Sequence, residues 1–318
     1  MKKIDLKKIS KFHPIIGIIL FVYIIIDIGI EDIADAFVQI PIQYYLLAAL
    51  PVIPRVLLYS FKWQYICRKQ KMDFSYWYLT KIFLISVFYG NVTPGGIGWH
   101  IKIFYLRKKS NASIEKCLTN SLLDSATGFI VGLFLALIGT IVLIDRVPGL
   151  FPIILGFFIF EVILFVVLIK KHIGGRLFNI FIKFIIPKKY RERLDKSIES
   201  IYEDIPRVRD LFFPFLIEAA IWILTGVQTY IIAQAFSIDI PFFTIIFISI
   251  IASIVIGLLP ISIGGLGVRE GTFVVLLASY GVPKEIAVVI SLSGFIVKMV
   301  IPGIAGAILS FGEKDQFT

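Results

Sequence analysis

The sequence predicts an all-α integral membrane protein. Three observations carry that prediction: an apolar composition, apolar blocks of membrane-spanning length, and basic residues segregated by loop. Of 318 residues, 58% are hydrophobic and 17% charged, and the mean hydropathy is +0.90; a soluble domain carries about 25% charged residues. Apolar blocks occupy residues 15–30, 44–66, 118–144, 150–169, 212–236, 242–259 and 286–311. Each is near or above the ~18–20 residues that cross a hydrocarbon core. Lipid offers no partner to backbone polar groups, so such blocks must be helices, and they lack the ~10-residue alternation of barrel strands.

The first block follows a basic stretch and is not followed by a small-residue cleavage site, so it reads as a retained helix. Two cysteines, Cys67 and Cys117, give neither a disulfide framework nor metal spacing. The net charge of +10 could suggest nucleic acid, but the loops divide it. Lys2, Lys3, Lys7, Lys8 and Lys11 precede the first block. Arg68, Lys69 and Lys71 follow the second, and Lys102, Arg107, Lys108, Lys109 and Lys116 come next. Residues 170–209 carry eleven more, whereas 31–43 and 237–241 carry none and 145–149 one. This is the positive-inside pattern, which predicts cytoplasmic termini in a cell membrane and excludes a need for nucleic acid.

The same rule shapes the middle of the chain. Both flanks of residues 74–99 are basic, so that segment enters and leaves on one side, turning at Asn91-Val92-Thr93-Pro94-Gly95-Gly96-Ile97-Gly98. Near the C-terminus, residues 242–259 and the following Ser262-Ile263-Gly264-Gly265-Leu266-Gly267 form a second such pair, entered from outside. The architecture expected is about six full spans plus two re-entrant helix pairs in one polytopic domain, residues 1–318. The polar stretch 170–210 reads as cytoplasmic, with a surface helix over 190–204.

The two glycine segments resemble copies. Gly95-Gly96-Ile97-Gly98 matches Gly264-Gly265-Leu266-Gly267, and Phe104 and Phe273 follow each at six residues. Further on, Gly128-Phe129-Ile130-Val131 matches Gly294-Phe295-Ile296-Val297. Matched segments entering from opposite faces are the mark of an inverted repeat, with halves at about 72–144 and 240–311. Glycine permits positive φ and close backbone approach, and amides at a half-helix N-terminus favour an anion. The plainer alternative is that these glycines serve tight helix packing. No Gly-Lys-Ser/Thr follows, so neither segment is a nucleotide loop.

Charge inside a span is costly and points to function. Asp124 lies within 118–144 and Lys298 within 286–311, near the matching Gly-Phe-Ile-Val segments, so the two are expected to share a central cavity and to pair. Glu161, Glu218 and Arg55 also fall in or near spans. His100 and Lys102 follow the first glycine motif, Arg269 and Glu270 the second. The expected site is therefore Gly95, Gly96, Gly98, His100, Lys102, Asp124, Gly264, Gly265, Gly267, Arg269, Glu270 and Lys298, with no cofactor.

Thr93-Pro94-Gly95-Gly96-Ile97-Gly98, Leu259-Pro260-Ile261-Ser262-Ile263-Gly264-Gly265-Leu266-Gly267-Val268-Arg269-Glu270 and Lys298-x3-Pro302-x3-Gly306 resemble the lysylphosphatidylglycerol synthase transmembrane family, also called flippase-like proteins. The similarity covers nearly the whole chain but only the membrane half of the two-part relatives, without their aminoacyl-transferase domain. It implies a lipid translocator, not an enzyme, whose partner is a membrane lipid with an anionic headgroup: a phospholipid or a polyprenyl-phosphate-linked glycolipid. Lys298 departs from the family's usual arginine, which weakens bidentate phosphate binding there. Trp99-His100-Ile101-Lys102 departs after the first glycine motif. The other readings are a lipid-modifying transferase, with Glu31, Asp32 and Asp35 as candidate acids, and a small-solute transporter.

Overall fold

The computed structural model describes residues 18–93, 95–170, 202, 205–259 and 261–312. Apart from Tyr202, the helix expected over 190–204 lies outside the described residues, as do the N-terminal lysines, Pro94 and Pro260. Every regular element among the described residues is helical, as the composition requires.

Numbered in chain order, the described helices begin with α1 (Ile18–Ile28), α2 (Ile30–Val38) and α3 (Ile42–Ala49). A turn at Leu50 and Pro51 links α3 to α4 (Val52–Lys69), and together Ile42–Lys69 make one 28-residue apolar span. Next come α5 (Tyr76–Val92), a 3₁₀ turn (Ile97–Ile101), α6 (Lys102–Ser110), α7 (Ile114–Val142) and α8 (Leu150–Ile169). The second half has α9 (Phe212–Gln234), α10 (Phe242–Leu258), α11 (Val268–Ala278) and α12 (Lys284–Phe295), then a π turn (Ile296–Val300) and α13 (Ile301–Phe311). Among the described residues five helical stretches are long and apolar enough to cross a membrane. The described part of α1, together with α10, is shorter.

Local chemistry sets the boundaries. Ser75 and Ser113 cap α5 and α7, their side chains accepting from the amides of Tyr78 and Lys116. Thr93 ends α5 in an extended conformation, which the following proline favours. Its Oγ1 donates to the Tyr89 carbonyl at 2.7 Å and accepts from the Gly98 amide at 2.8 Å. The Glu270 carboxylate caps α11 by accepting from the Gly267 amide at 2.6 Å.

Two hairpins enter the bundle from opposite ends. At one end, Lys69 pairs with Asp210 at 2.8 Å, joining the close of α4 to the start of α9. The Tyr78 hydroxyl donates to the Tyr105 carbonyl at 3.0 Å, so α6 returns to the end where α5 began. From there α7 runs 29 residues, about 43 Å at the helical rise, to the far end. There Arg146 donates to the Ser279 carbonyl and its guanidinium lies 4.0 Å from the Tyr280 ring centre. That is where α11 finishes, and α10 starts there too, because α9 has climbed from Asp210. The tips meet inside: the Gly95 amide donates to the Ser262 carbonyl at 3.4 Å. Burial follows this plan, with α10 and α12 walled by buried isoleucine and valine while α8 keeps only Ile154 and Phe165 buried.

Candidate functional site

Three helices present polar side chains inward at helical spacing. Arg55, Tyr59 and Lys62 lie one turn apart on one face of α4, Asp124 and Gly128 on α7, and Glu218, Trp222 and Thr225 on α9. These faces, the two glycine tips and the π turn enclose a cavity of about 430 Å³, within the ~300–1,000 Å³ typical of ligand sites. Phe83, Trp99, Phe129, Trp222 and Phe295 give it apolar walls.

One side holds a balanced charge network. Lys62 Nζ lies 2.8 Å from Asp124 Oδ1 and 2.5 Å from Glu218 Oε2. Asp124 Oδ2 accepts from Lys102 Nζ and the Tyr59 hydroxyl. Lys62, Lys102, Asp124 and Glu218 are all buried, so four charges from α4, α6, α7 and α9 neutralise one another, as burial demands. Beyond them the packing is dense and polar. Trp63 Nε1 donates to Asn120 Oδ1 at 2.8 Å, and Asn120 Nδ2 to Gln70 Oε1 at 2.8 Å.

The other side is cationic. Arg269 is balanced by Glu270, with Nη2 2.5 Å from Oε1, and its guanidinium stacks 4.1 Å from the Phe295 ring centre. Pro302 has no amide to offer the Lys298 carbonyl, and the π turn bonds the Ile301 amide to the Ile296 carbonyl instead. Arg55 Nη2 donates to that Lys298 carbonyl, and Asn91 Nδ2 to the Met299 carbonyl at 3.0 Å. Lys298 Nζ donates to Ser253 Oγ at 3.1 Å. Among the described residues neither Arg55 nor Lys298 has a carboxylate partner, and Arg55 Nε is buried without a hydrogen bond.

Of the residues expected from sequence, Gly95, Gly96, Lys102, Asp124, Gly264, Gly265, Arg269 and Lys298 line this cavity. Gly96 and Gly265 stand at φ of +68° and +78°, a region that glycine enters freely. Gly98, Gly267, His100 and Glu270 stand behind the wall; His100 Nδ1 contacts Ser121 Oγ at 2.8 Å. The expected pairing of Asp124 with Lys298 is corrected: Asp124 is satisfied by Lys62 and Lys102, and Lys298 faces Ser253. Glu161 sits half-buried on α8, away from the cavity. Glu31, Asp32 and Asp35 are exposed on α2, the first two in its opening turn, where they favour the helix dipole. Sequence reasoning missed Lys62 and Tyr59, although their spacing from Arg55 along one helix face was readable.

The family model described as the lysylphosphatidylglycerol synthase TM region matches residues 13–306. Similar proteins include a UPF0104 membrane protein of Methanothermobacter thermautotrophicus, 25% identical over 86% of each chain. Another, from Pyrococcus horikoshii, is 25% identical over 93% of this chain and 94% of its own.

Proposed function

The chain belongs to the lysylphosphatidylglycerol synthase TM region family, and from that premise we propose that it is a flippase or scramblase moving an anionic lipid between leaflets without ATP. The observation that carries this reading is the central cavity, apolar in its walls and cationic on one side, where Arg55 and Lys298 have no carboxylate partner among the described residues. An anionic headgroup buried without compensation is prohibitively costly; here two cations face it while the tails stay in lipid. In this proposal the basic end of the bundle faces the cytoplasm of a cell membrane, the two hairpins are re-entrant, and the halves rock about the meeting glycine tips. The proposal excludes bond-making chemistry. Asp124 and Glu218 are tied to lysines, and the acids of α2 lie exposed and outside the cavity.

The test is reconstitution in liposomes carrying a tail-labelled anionic phospholipid. Purified protein should accelerate loss of the inner-leaflet signal to an impermeant quencher, and Lys298→Met should abolish the acceleration. Movement no faster than in empty liposomes, across a range of anionic lipids, ends the reading.

A further inference from the structure

The cavity holds two cations that its own carboxylates do not neutralise, and the fold forces them together. Lys62 and Lys102 offset Asp124 and Glu218, and Arg269 is offset by Glu270. Arg55 and Lys298 remain. Pro302 denies the Lys298 carbonyl a helical amide, and Arg55 fills that gap through Nη2, which seats its guanidinium beside the residue whose ammonium is the other unbalanced charge. Arg55 Nε has no hydrogen-bond partner among the described residues, and Lys298 Nζ, with three protons to give, donates to Ser253 Oγ. Two like charges lining one low-dielectric cavity repel, and a ligand bringing two negative charges offsets both.

We propose that Arg55 and Lys298 form a two-cation site for a doubly charged phosphate, a phosphomonoester in preference to a singly charged phosphodiester. This rests on the lipid-transport reading only for the source of the phosphate. The guanidinium Nε and the ammonium reach different oxygens of one phosphate, with charge-assisted hydrogen bonds from each. A headgroup bearing a net positive charge meets two cations and is rejected.

The experiment follows tryptophan fluorescence of the full chain in detergent, since Trp99 and Trp222 line the cavity. The probes are dioctanoyl phosphatidic acid, dioctanoyl phosphatidylglycerol and glycerol 3-phosphate. The pH is set about two units above the second phosphate pKa of ~6. Phosphatidic acid should bind about tenfold or more tightly than phosphatidylglycerol, and the gap should close about one unit below that pKa, where the monoester keeps one charge. Arg55→Gln and Lys298→Met should each erase the preference, while Glu161→Gln on the outer helix should keep it. Equal affinity of wild type for the two lipids overturns the site, as does a preference that survives both cavity variants; the wild-type pH comparison decides even if neither variant folds. Glycerol 3-phosphate binding as tightly as phosphatidic acid supports the two-cation site and sinks the lipid reading. Liposome assays separate the two claims further. A binding preference without accelerated lipid movement ends the flippase reading alone, and equal transport of both lipids with equal binding ends the site alone.

Discussion

Lys62 touches two carboxylates from two different helices and so ties α4, α7 and α9 together. Removing its charge leaves Glu218 without a cation and Asp124 with Lys102 alone. Breaking a buried pair in this way costs about 3–5 kcal/mol, so Lys62→Met should lower thermal stability in detergent more than any other single change in the network. Adding Glu218→Gln removes the orphaned carboxylate, and the double variant should be more stable than additivity predicts. Asp124→Asn with Lys298→Met should instead be additive within about 0.5 kcal/mol, because the two share no partner. Strong coupling between those two would contradict the placement described here. The sequence announced Asp124 and Lys298 because each breaks an apolar run near a repeated motif. Lys62 was harder to see, since Trp63, Gln64 and Tyr65 follow it and the nearby basic turn at Arg68 makes it look interfacial. Pair partners depend on which faces of distant helices meet, and a linear chain carries that information only through packing.

At the scale of elements, the last span shows why Lys298-x3-Pro302-x3-Gly306 belongs together. A Cβ at Gly306 would fall on the Leu84 carbonyl oxygen, so the glycine lets α13 lie against α5, the most extensive contact among the described helices. Gly306→Leu should therefore disrupt folding itself, seen as loss of monodisperse protein after extraction, whereas Gly96→Leu should insert normally and lose transport. Pro302 acts in the opposite sense. Pro302→Ala supplies an amide for the Lys298 carbonyl, which should regularise the helix, leave thermal stability unchanged or raised by about 1 kcal/mol, and weaken anionic-lipid binding by releasing Arg55. A variant that is both less stable and fully active would refute that account. The span over 286–311 was legible as one hydrophobic run. Its π turn was not, because the turn arises from a missing amide and from acceptors being claimed by Arg55 and Asn91 on other elements.

Across the whole molecule, charge and topology agree. Arg68, Lys69, Lys108, Lys109 and Lys116 outnumber Asp73, Glu115 and Asp210 at the end where α5 starts and α6 finishes; Asp27, Glu31, Asp32, Asp35 and Asp145 outnumber Arg146 and Lys284 at the other. The first hairpin was readable because a segment flanked by basic residues on both sides cannot cross and still obey the loop rule; the second rested on the loop 237–241, which has no Lys or Arg, and on the repeated glycine motif. The cavity between their tips was only partly readable, since its cationic side depends on Arg55 being drawn to Lys298 from 243 residues away. This geometry yields a labelling prediction with four positions. In a variant carrying Cys67→Ala and Cys117→Ala, which removes both buried thiols, single cysteines are placed at 73, 109, 239 and 281 and exposed to an impermeant thiol reagent in intact cells. Residues 73 and 109 flank the first hairpin, 239 and 281 the second. If both hairpins turn back inside the bundle, each pair must behave alike and the two pairs oppositely, with 239 and 281 labelled and 73 and 109 protected until the membrane is opened. A hairpin that crossed fully would split its own pair. The paired result with its sides reversed would keep the inverted architecture and overturn the cytoplasmic assignment of the basic end, so the labelling reads fold and orientation separately.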